Sequence, residues 1–230
     1  MITEIMNRNS PFSYRCNGCG RCCVNKRIQT NPYEVLRLAR NLGMKTGEFV
    51  QQYLDKEGPY LRVTAEYTCI FLDNKSCGVH QDRPIACRTY PLGRWVSSNY
   101  EETYRELKSH PGCEGVYGLD GTVGQFLAEQ GVLPYLEVAD RYQALFYRMF
   151  DALQQVLPTD SDLPDNAQNA MFRSDQADMP AFMEWLDIDG AVKIYCAEHN
   201  LVPPDDIVRI VDLHVQAINQ WLDSQPGGTP

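Results

Sequence analysis

The sequence predicts an α+β, mainly helical protein: a small irregular cysteine-rich metal-binding domain with short strands, followed by a helical C-terminal region. Three observations predict it. Eight of the nine cysteines lie between Cys16 and Cys113, and only Cys196 lies beyond. The same front stretch is broken into short alternating runs and turns, whereas apolar residues past position 121 recur every three or four positions. Charge divides at the same place: residues 1–120 hold 16 Lys+Arg against 13 Asp+Glu, and residues 121–230 hold 5 against 17. We therefore expect a domain over 1–120 and a helical region over 121–230.

The bulk properties narrow the class further. At 230 residues the chain suits one or two domains with a real core. With 43% apolar and 22% charged residues and a mean hydropathy of −0.39, it is neither disordered nor membrane-embedded. No uncharged apolar run reaches the length of a spanning helix. The first residues lack a basic segment followed by an apolar core, so the expected location is the cytoplasm. A net charge of −9 repels polyanions and argues against bulk nucleic-acid binding.

In chain order, residues 1–15 read as an irregular arm, and Cys16 to Cys23 as a loop opened by Gly18 and Gly20. Asn31, Pro32 and Glu34 are the N-cap, first position and capping-box partner of a helix that Gly43 ends. Thr46 caps a second short helix, and the two are expected to cover the cysteine loop as a lid. Residues 60–64 and 69–72 read as strands, with a turn at 73–76 returning through Cys77, which brings Cys69 and Cys77 together. Pro84 starts a helical turn through Arg88 that Pro91 stops. A polar stretch follows, then a turn carrying Cys113. Helices are expected over 123–129, 133–157, about 180–199 and about 205–223, the last capped by Asp205 or Asp206. Residues 158–180, acidic and with little periodicity, read as a linker, and 225–230 as a tail.

Eight thiols crowded into a chain with no export signal read first as metal ligands; disulfides, a redox relay and inert buried thiols are the alternatives. The candidates are Cys16, Cys19, Cys22, Cys23, Cys69, Cys77, Cys87 and Cys113. C-x2-C steps let two sulfurs reach one metal and occur at both zinc and iron–sulfur centres. Four thiolates satisfy one tetrahedral zinc or one [4Fe–4S] cluster, so eight imply two sites, a multinuclear site or spare thiols. The adjacent pair Cys22–Cys23 does not easily serve one mononuclear zinc. Arg15, Arg21, Lys26, Arg27, Arg83 and Arg88 are near in sequence and offset the anionic charge of such a centre.

These residues carry a resemblance. Cys16-x2-Cys19-x2-Cys22-Cys23, Cys69-Ile70-Phe71-Leu72, Cys77-x2-His80, Arg83-Pro84-x2-Cys87-Arg88-x-Tyr90-Pro91 and Pro111-Gly112-Cys113 together resemble the YkgJ-type cysteine-cluster family, the zinc- or iron-chelating CxxCxxCC domain. The pattern is also similar to the cysteine-rich part of flagellin lysine N-methylases, for which an iron–sulfur cluster is implied. Val79-His80 stands where the family usually has Ile-Tyr, which adds an imidazole near the site. The resemblance covers roughly residues 14–115 and implies metal binding.

The reading favoured here is an iron–sulfur protein, with a [4Fe–4S] cluster, that acts on another protein through electron transfer, redox sensing, or assembly or modification. One alternative is a non-enzymatic zinc module whose helices bind a partner; another is a protein N-methyltransferase-like enzyme. No nucleophile–base pair, phosphate-cradling loop, dinucleotide fingerprint or His-Glu-x-x-His motif is present, so no catalytic residue is assigned. Cys196, on an apolar helical face, reads as a core thiol, and His110, His199 and His214 as ordinary surface or core residues. Arg83 and Arg88 read as charge balance in preference to an anion site.

Overall fold

The structure is a computed structural model and describes residues 4–56, 58–97, 101–154 and 183–224. Among these there are six strands and seven helices, so the α+β, mainly helical expectation holds, with short strands in the front region and helices behind. The strands are β1 (Pro11–Arg15), β2 (Leu72–Asp73), β3 (Ser76–Cys77), β4 (Leu92–Val96), β5 (Glu102–Glu106) and β6 (Val116–Thr122). The helices are α1 (Pro32–Asn41), α2 (Thr46–Tyr53), α3 (Ile85–Thr89), α4 (Val123–Glu129), α5 (Leu133–Gln154), α6 (Ile188–Glu198) and α7 (Ile207–Asp223). The linker expected at 158–180, the tail at 225–230 and the expected helix end at Pro158 lie outside the described residues. No described helix is long and apolar enough to cross a membrane.

The chain divides into two compact units, residues 1–29 with 61–136, and residues 30–60 with 137–230. In the first, three two-stranded antiparallel pairs form: β1 with β6, β2 with β3 and β4 with β5. The arm expected to be irregular thus contributes β1, with Tyr14 opposite Tyr117 and Arg15 opposite Val116. The polar stretch after Pro91 is the β4–β5 hairpin, in which Leu92 faces Glu106 and Val96 faces Glu102. Expected strand 60–64 forms isolated bridges at Tyr60, Leu61 and Val63, the last pairing with Cys69, and no continuous strand. The β2–β3 hairpin forms where its turn composition placed it, because Asn74 and Lys75 both adopt positive φ at its tip.

Phe12, Leu92, Tyr104, Val123, Phe126 and Leu127 form this unit's core. Arg88 is a buried clamp inside it, only 6% exposed. Its guanidinium donates to the carbonyls of Arg83 (2.8 Å), Gln130 (2.9 Å) and Gln81, and to the Tyr135 hydroxyl (3.0 Å). It also lies 4.2 Å over the Tyr135 ring. Arg88 therefore joins the residues around α3 to the end of α4.

The second unit is built by helix rules legible in the chain. Asn31 Oδ1 accepts from the Glu34 amide (2.9 Å) while the Glu34 carboxylate accepts from the Asn31 amide (2.8 Å), the expected capping box. Gly43, at φ 68°, turns the chain out of α1. Thr46 differs from expectation. The N-cap position of α2 is Lys45, and the Thr46 hydroxyl serves α6, donating to Asp187 (2.6 Å) and accepting from the Asp189 amide (2.9 Å). Arg40 closes the group on Asp189 with two bonds, one of 3.0 Å. In the stretch expected to be helical from about 180, Met183 and Glu184 are helical, a turn follows, and α6 starts at Ile188, where Asp187 caps it through the Gly190 amide (3.1 Å). Helices α1 and α2 pack with α6 inside this unit. Asp206 caps α7 through the Arg209 amide (2.9 Å). Cys196 is buried, and so is His214, whose Nδ1 shares a hydrogen bond of 2.8 Å with the Tyr142 hydroxyl.

Candidate metal centre

The eight candidate thiols lie on five short segments of the first unit. Cys16 follows β1, and its sulfur accepts from the Gly18 amide at 3.4 Å. Cys22 and Cys23 sit on a one-turn 3-10 helix, Arg21–Cys23, entered through Gly20 at φ 70°. Gly20 has a packing reason as well: a Cβ there would lie 3.1 Å from the Leu72 side chain and 3.3 Å from the Lys75 backbone. The bare backbone is what lets the thiol loop settle on the hairpin that carries Cys77. The Cys69 amide donates to the Cys23 carbonyl (2.8 Å), which ties the third segment to the loop. Cys87 stands on α3, and Cys113 follows a turn in which its amide donates to the His110 carbonyl (2.8 Å).

Six of the eight thiols, Cys16, Cys22, Cys23, Cys69, Cys77 and Cys87, line one cavity of about 1220 Å³. Cys113 reaches it through Tyr14, a wall residue whose hydroxyl lies 3.4 Å from the Cys113 sulfur. Cys19 is half-buried and is not part of the wall. None of the nine cysteines forms a disulfide. Among the described residues no three His, Cys, Asp or Glu side chains already stand in ligating geometry, so the thiols share a cavity without closing on one point. Cys22 and Cys23 are 4.0 Å apart at sulfur. That is close to the edge of about 3.8 Å expected of a tetrahedron built on Zn–S bonds of about 2.3 Å. Adjacent in sequence, the two nevertheless point to the same place.

The thiols are not equivalent. A bond from the Cys23 thiol, aided by the positive charges of Arg83 and Lys26, outweighs burial and brings Cys22 down to about 7. Cys23 is pushed up by the same bond and by burial, and burial also raises Cys69 and Cys77. Of the cations expected near the site, Arg15 and Arg83 line the cavity and Lys26 acts on Cys22. Arg88 is committed to carbonyls. Arg83 donates to the His80 carbonyl (2.8 Å) and to Gln130 Oε1 (2.9 Å), which hold it at the cavity wall. His80 lines the cavity with Nδ1 3.3 Å from the Arg83 guanidinium.

The remaining wall was not legible in the sequence. Tyr14 meets Tyr117 edge-on at 5.0 Å and Phe126 at 6.4 Å. Gly115 makes room for this, since a Cβ there would fall 2.1 Å from the Tyr14 hydroxyl. The wall depends on pairing β1 with a strand about a hundred residues away, for which short-range patterns give no signal. All-thiol donors with cationic and aromatic surroundings fit a soft metal or an iron–sulfur group, and the absence of disulfides leaves the thiols free to ligate.

No curated protein and no solved structure matches the chain. One family model does: the cysteine-rich stretch, residues 15–113, matches the CxxCxxCC family, described as "Putative zinc- or iron-chelating domain", and the match spans all eight clustered cysteines.

Proposed function

We propose that residues 1–120 hold an iron–sulfur centre, a [4Fe–4S] cluster, on thiolates drawn from Cys16, Cys19, Cys22, Cys23, Cys69, Cys77, Cys87 and Cys113. The protein then works on a partner protein by electron transfer, redox sensing, or assembly or modification. The reading is carried by one observation: six thiols from four segments line a single cavity of about 1220 Å³, far more room than one ion fills. Bound there, a cluster supplies one-electron chemistry whose potential follows local charge and hydrogen bonding. The chain's own residues set those conditions. Arg83, held by Gln130, and Arg15 bring positive charge to the wall. Tyr14, Tyr117 and Phe126 supply an apolar wall that restricts water. A reducing compartment, the cytoplasm, suits the chemistry.

A zinc centre is the second reading, and the 4.0 Å separation of the Cys22 and Cys23 sulfurs favours it. Purification without oxygen distinguishes the two. The iron–sulfur reading expects iron and labile sulfide in equal amounts and a broad visible absorption that bleaches with dithionite. A colourless protein with stoichiometric zinc and no sulfide overturns it. Under either metal, Cys22→Ser lowers metal content, whereas Cys196→Ala leaves it unchanged.

A further inference from the structure

The hydroxyl of Tyr14 is aimed at a sulfur. Tyr14 stands in β1 opposite Tyr117 of β6, and Cys113 lies just before β6. Pairing of the two strands brings the Tyr14 hydroxyl to 3.4 Å from the Cys113 sulfur. Asn17 Nδ2 donates to the Glu114 carbonyl (2.7 Å), which joins the Cys16 loop to the same segment. Three rings hold the Tyr14 ring edge-on: Tyr117 at 5.0 Å, Phe126 at 6.4 Å and Tyr90 at 6.4 Å. Gly115 makes the space for its outer end. A Cβ there would fall 2.1 Å from the Tyr14 hydroxyl oxygen and 2.3 Å from Cζ. Gly115 is not among the glycines with positive φ, so its backbone would accept alanine. What calls for glycine at 115 is the volume that Tyr14 occupies. A phenylalanine at position 14 would make the same ring contacts; only the hydroxyl reaches the sulfur.

We propose that the Tyr14 hydroxyl is a fixed hydrogen-bond donor to the sulfur of Cys113, and that this bond raises the reduction potential of an iron–sulfur centre to which Cys113 is a ligand. This role rests on the iron–sulfur reading above and adds a residue that tunes it. Either partner could donate while Cys113 is a thiol. A ligating Cys113 is a thiolate with no proton to give, whereas a phenol keeps its own at neutral pH. The bond then runs one way, from oxygen to sulfur. Reduction adds one electron to the centre, and part of that negative charge falls on the ligand sulfurs. A donor bond to one of them strengthens on reduction and favours the reduced form, while the proton stays on Tyr14. The donor has little to rearrange when the electron arrives, because the rings and Gly115 already hold it in place.

The test is a potentiometric titration with dithionite of the full chain purified without oxygen, after iron and sulfide have been counted in each sample. Tyr14→Phe should keep its iron and sulfide and move the balance of reduced to oxidised forms about tenfold toward oxidised, a fall of about 59 mV for a one-electron couple. Gly115→Ala, which displaces the hydroxyl without removing it, should lower the potential as well. 3-Fluorotyrosine placed at position 14 keeps the ring and is a stronger donor, so it should raise the potential. It answers the question even where Tyr14→Phe fails to fold. Tyr67 is 67% exposed and not on the cavity wall, so Tyr67→Phe should leave the potential where it is. Cys113→Ala should lower the iron content. An unchanged or raised potential in loaded Tyr14→Phe overturns the proposal, and so does an unchanged or lowered one with 3-fluorotyrosine. An equal fall in Tyr67→Phe, or full iron in Cys113→Ala, overturns it too. Zinc without sulfide overturns the iron–sulfur reading and this role together, whereas a loaded centre that ignores the changes at position 14 overturns this role alone.

Discussion

The thiol-bearing unit and the helical unit spend their sequence differently. In the first, β2 and β3 are two residues each, α3 is five, and the candidate ligands arrive from five segments joined by turns. In the second, α7 runs for 17 residues with Ile210, Val211, Leu213, Ile218 and Leu222 buried along it, and α1 is capped at both ends. Elements as short as β2 bury too little apolar area to offset the entropy of ordering their own backbone. The helical unit does not face that deficit, since each side chain it buries contributes about 1.5–3 kcal/mol. If the thiols hold metal as proposed, ligation adds folding energy to the small core of the first unit, whereas apolar burial with capped helix ends carries the second.

The largest test of this contrast is metal removal. Stripping the metal should cost the thiol-bearing unit most of its stability, with structural metal sites contributing on the order of 10 kcal/mol. Amide exchange followed residue by residue should then show Cys69–Cys77 and β6 losing protection while α1 and α7 keep theirs. Equal loss in both units breaks the comparison. The next test runs in the opposite direction. Phe49 is fully buried in α2, so Phe49→Ala should lower stability by about 3–5 kcal/mol in chemical denaturation, with metal content unchanged.

Acid sharpens the comparison within the helical unit. Burial alone would raise Asp189, but the bonds from Arg40 and from the Thr46 amide prevail and hold it below the usual carboxylate range. A carboxylate depressed in the folded state adds stability above its unfolded value, about 4, and that stability is lost as pH falls through the folded one. The α1–α2–α6 junction should therefore loosen progressively below about pH 4. Asp189→Asn should flatten that part of the stability–pH curve, as followed by amide exchange in α6. The smallest expected effect is at a cap: Asn31→Ala should cost about 1 kcal/mol by thermal unfolding, confined to the helical unit.

Where the sequence was legible, the governing contacts are local. The capping box of Asn31 and Glu34, the Gly43 exit, the 74–75 turn and the bounds of α4 all involve partners within a few residues. Thr46 was misplaced because its hydroxyl meets Asp187 and Asp189, more than a hundred residues away. Strand β1 was missed for the same reason: Tyr14 has no strand partner until Tyr117 arrives. Cysteine spacing marked which residue types gather, and the cavity then separated Cys19 and Cys113 from the six thiols on its wall.

By itself, then, the sequence determined the ends of α1 and α4, the hairpin tip, the residue type gathered at the candidate site and the charge contrast between front and back, because each follows from neighbours along the chain or from composition. Only the tertiary structure decided that Arg88 clamps carbonyls, that Tyr14 lies against Cys113, and which compact unit holds α1 and α2. Those outcomes depend on pairings across long stretches of chain. Their position is set by closing loops and filling space, which no short-range pattern encodes.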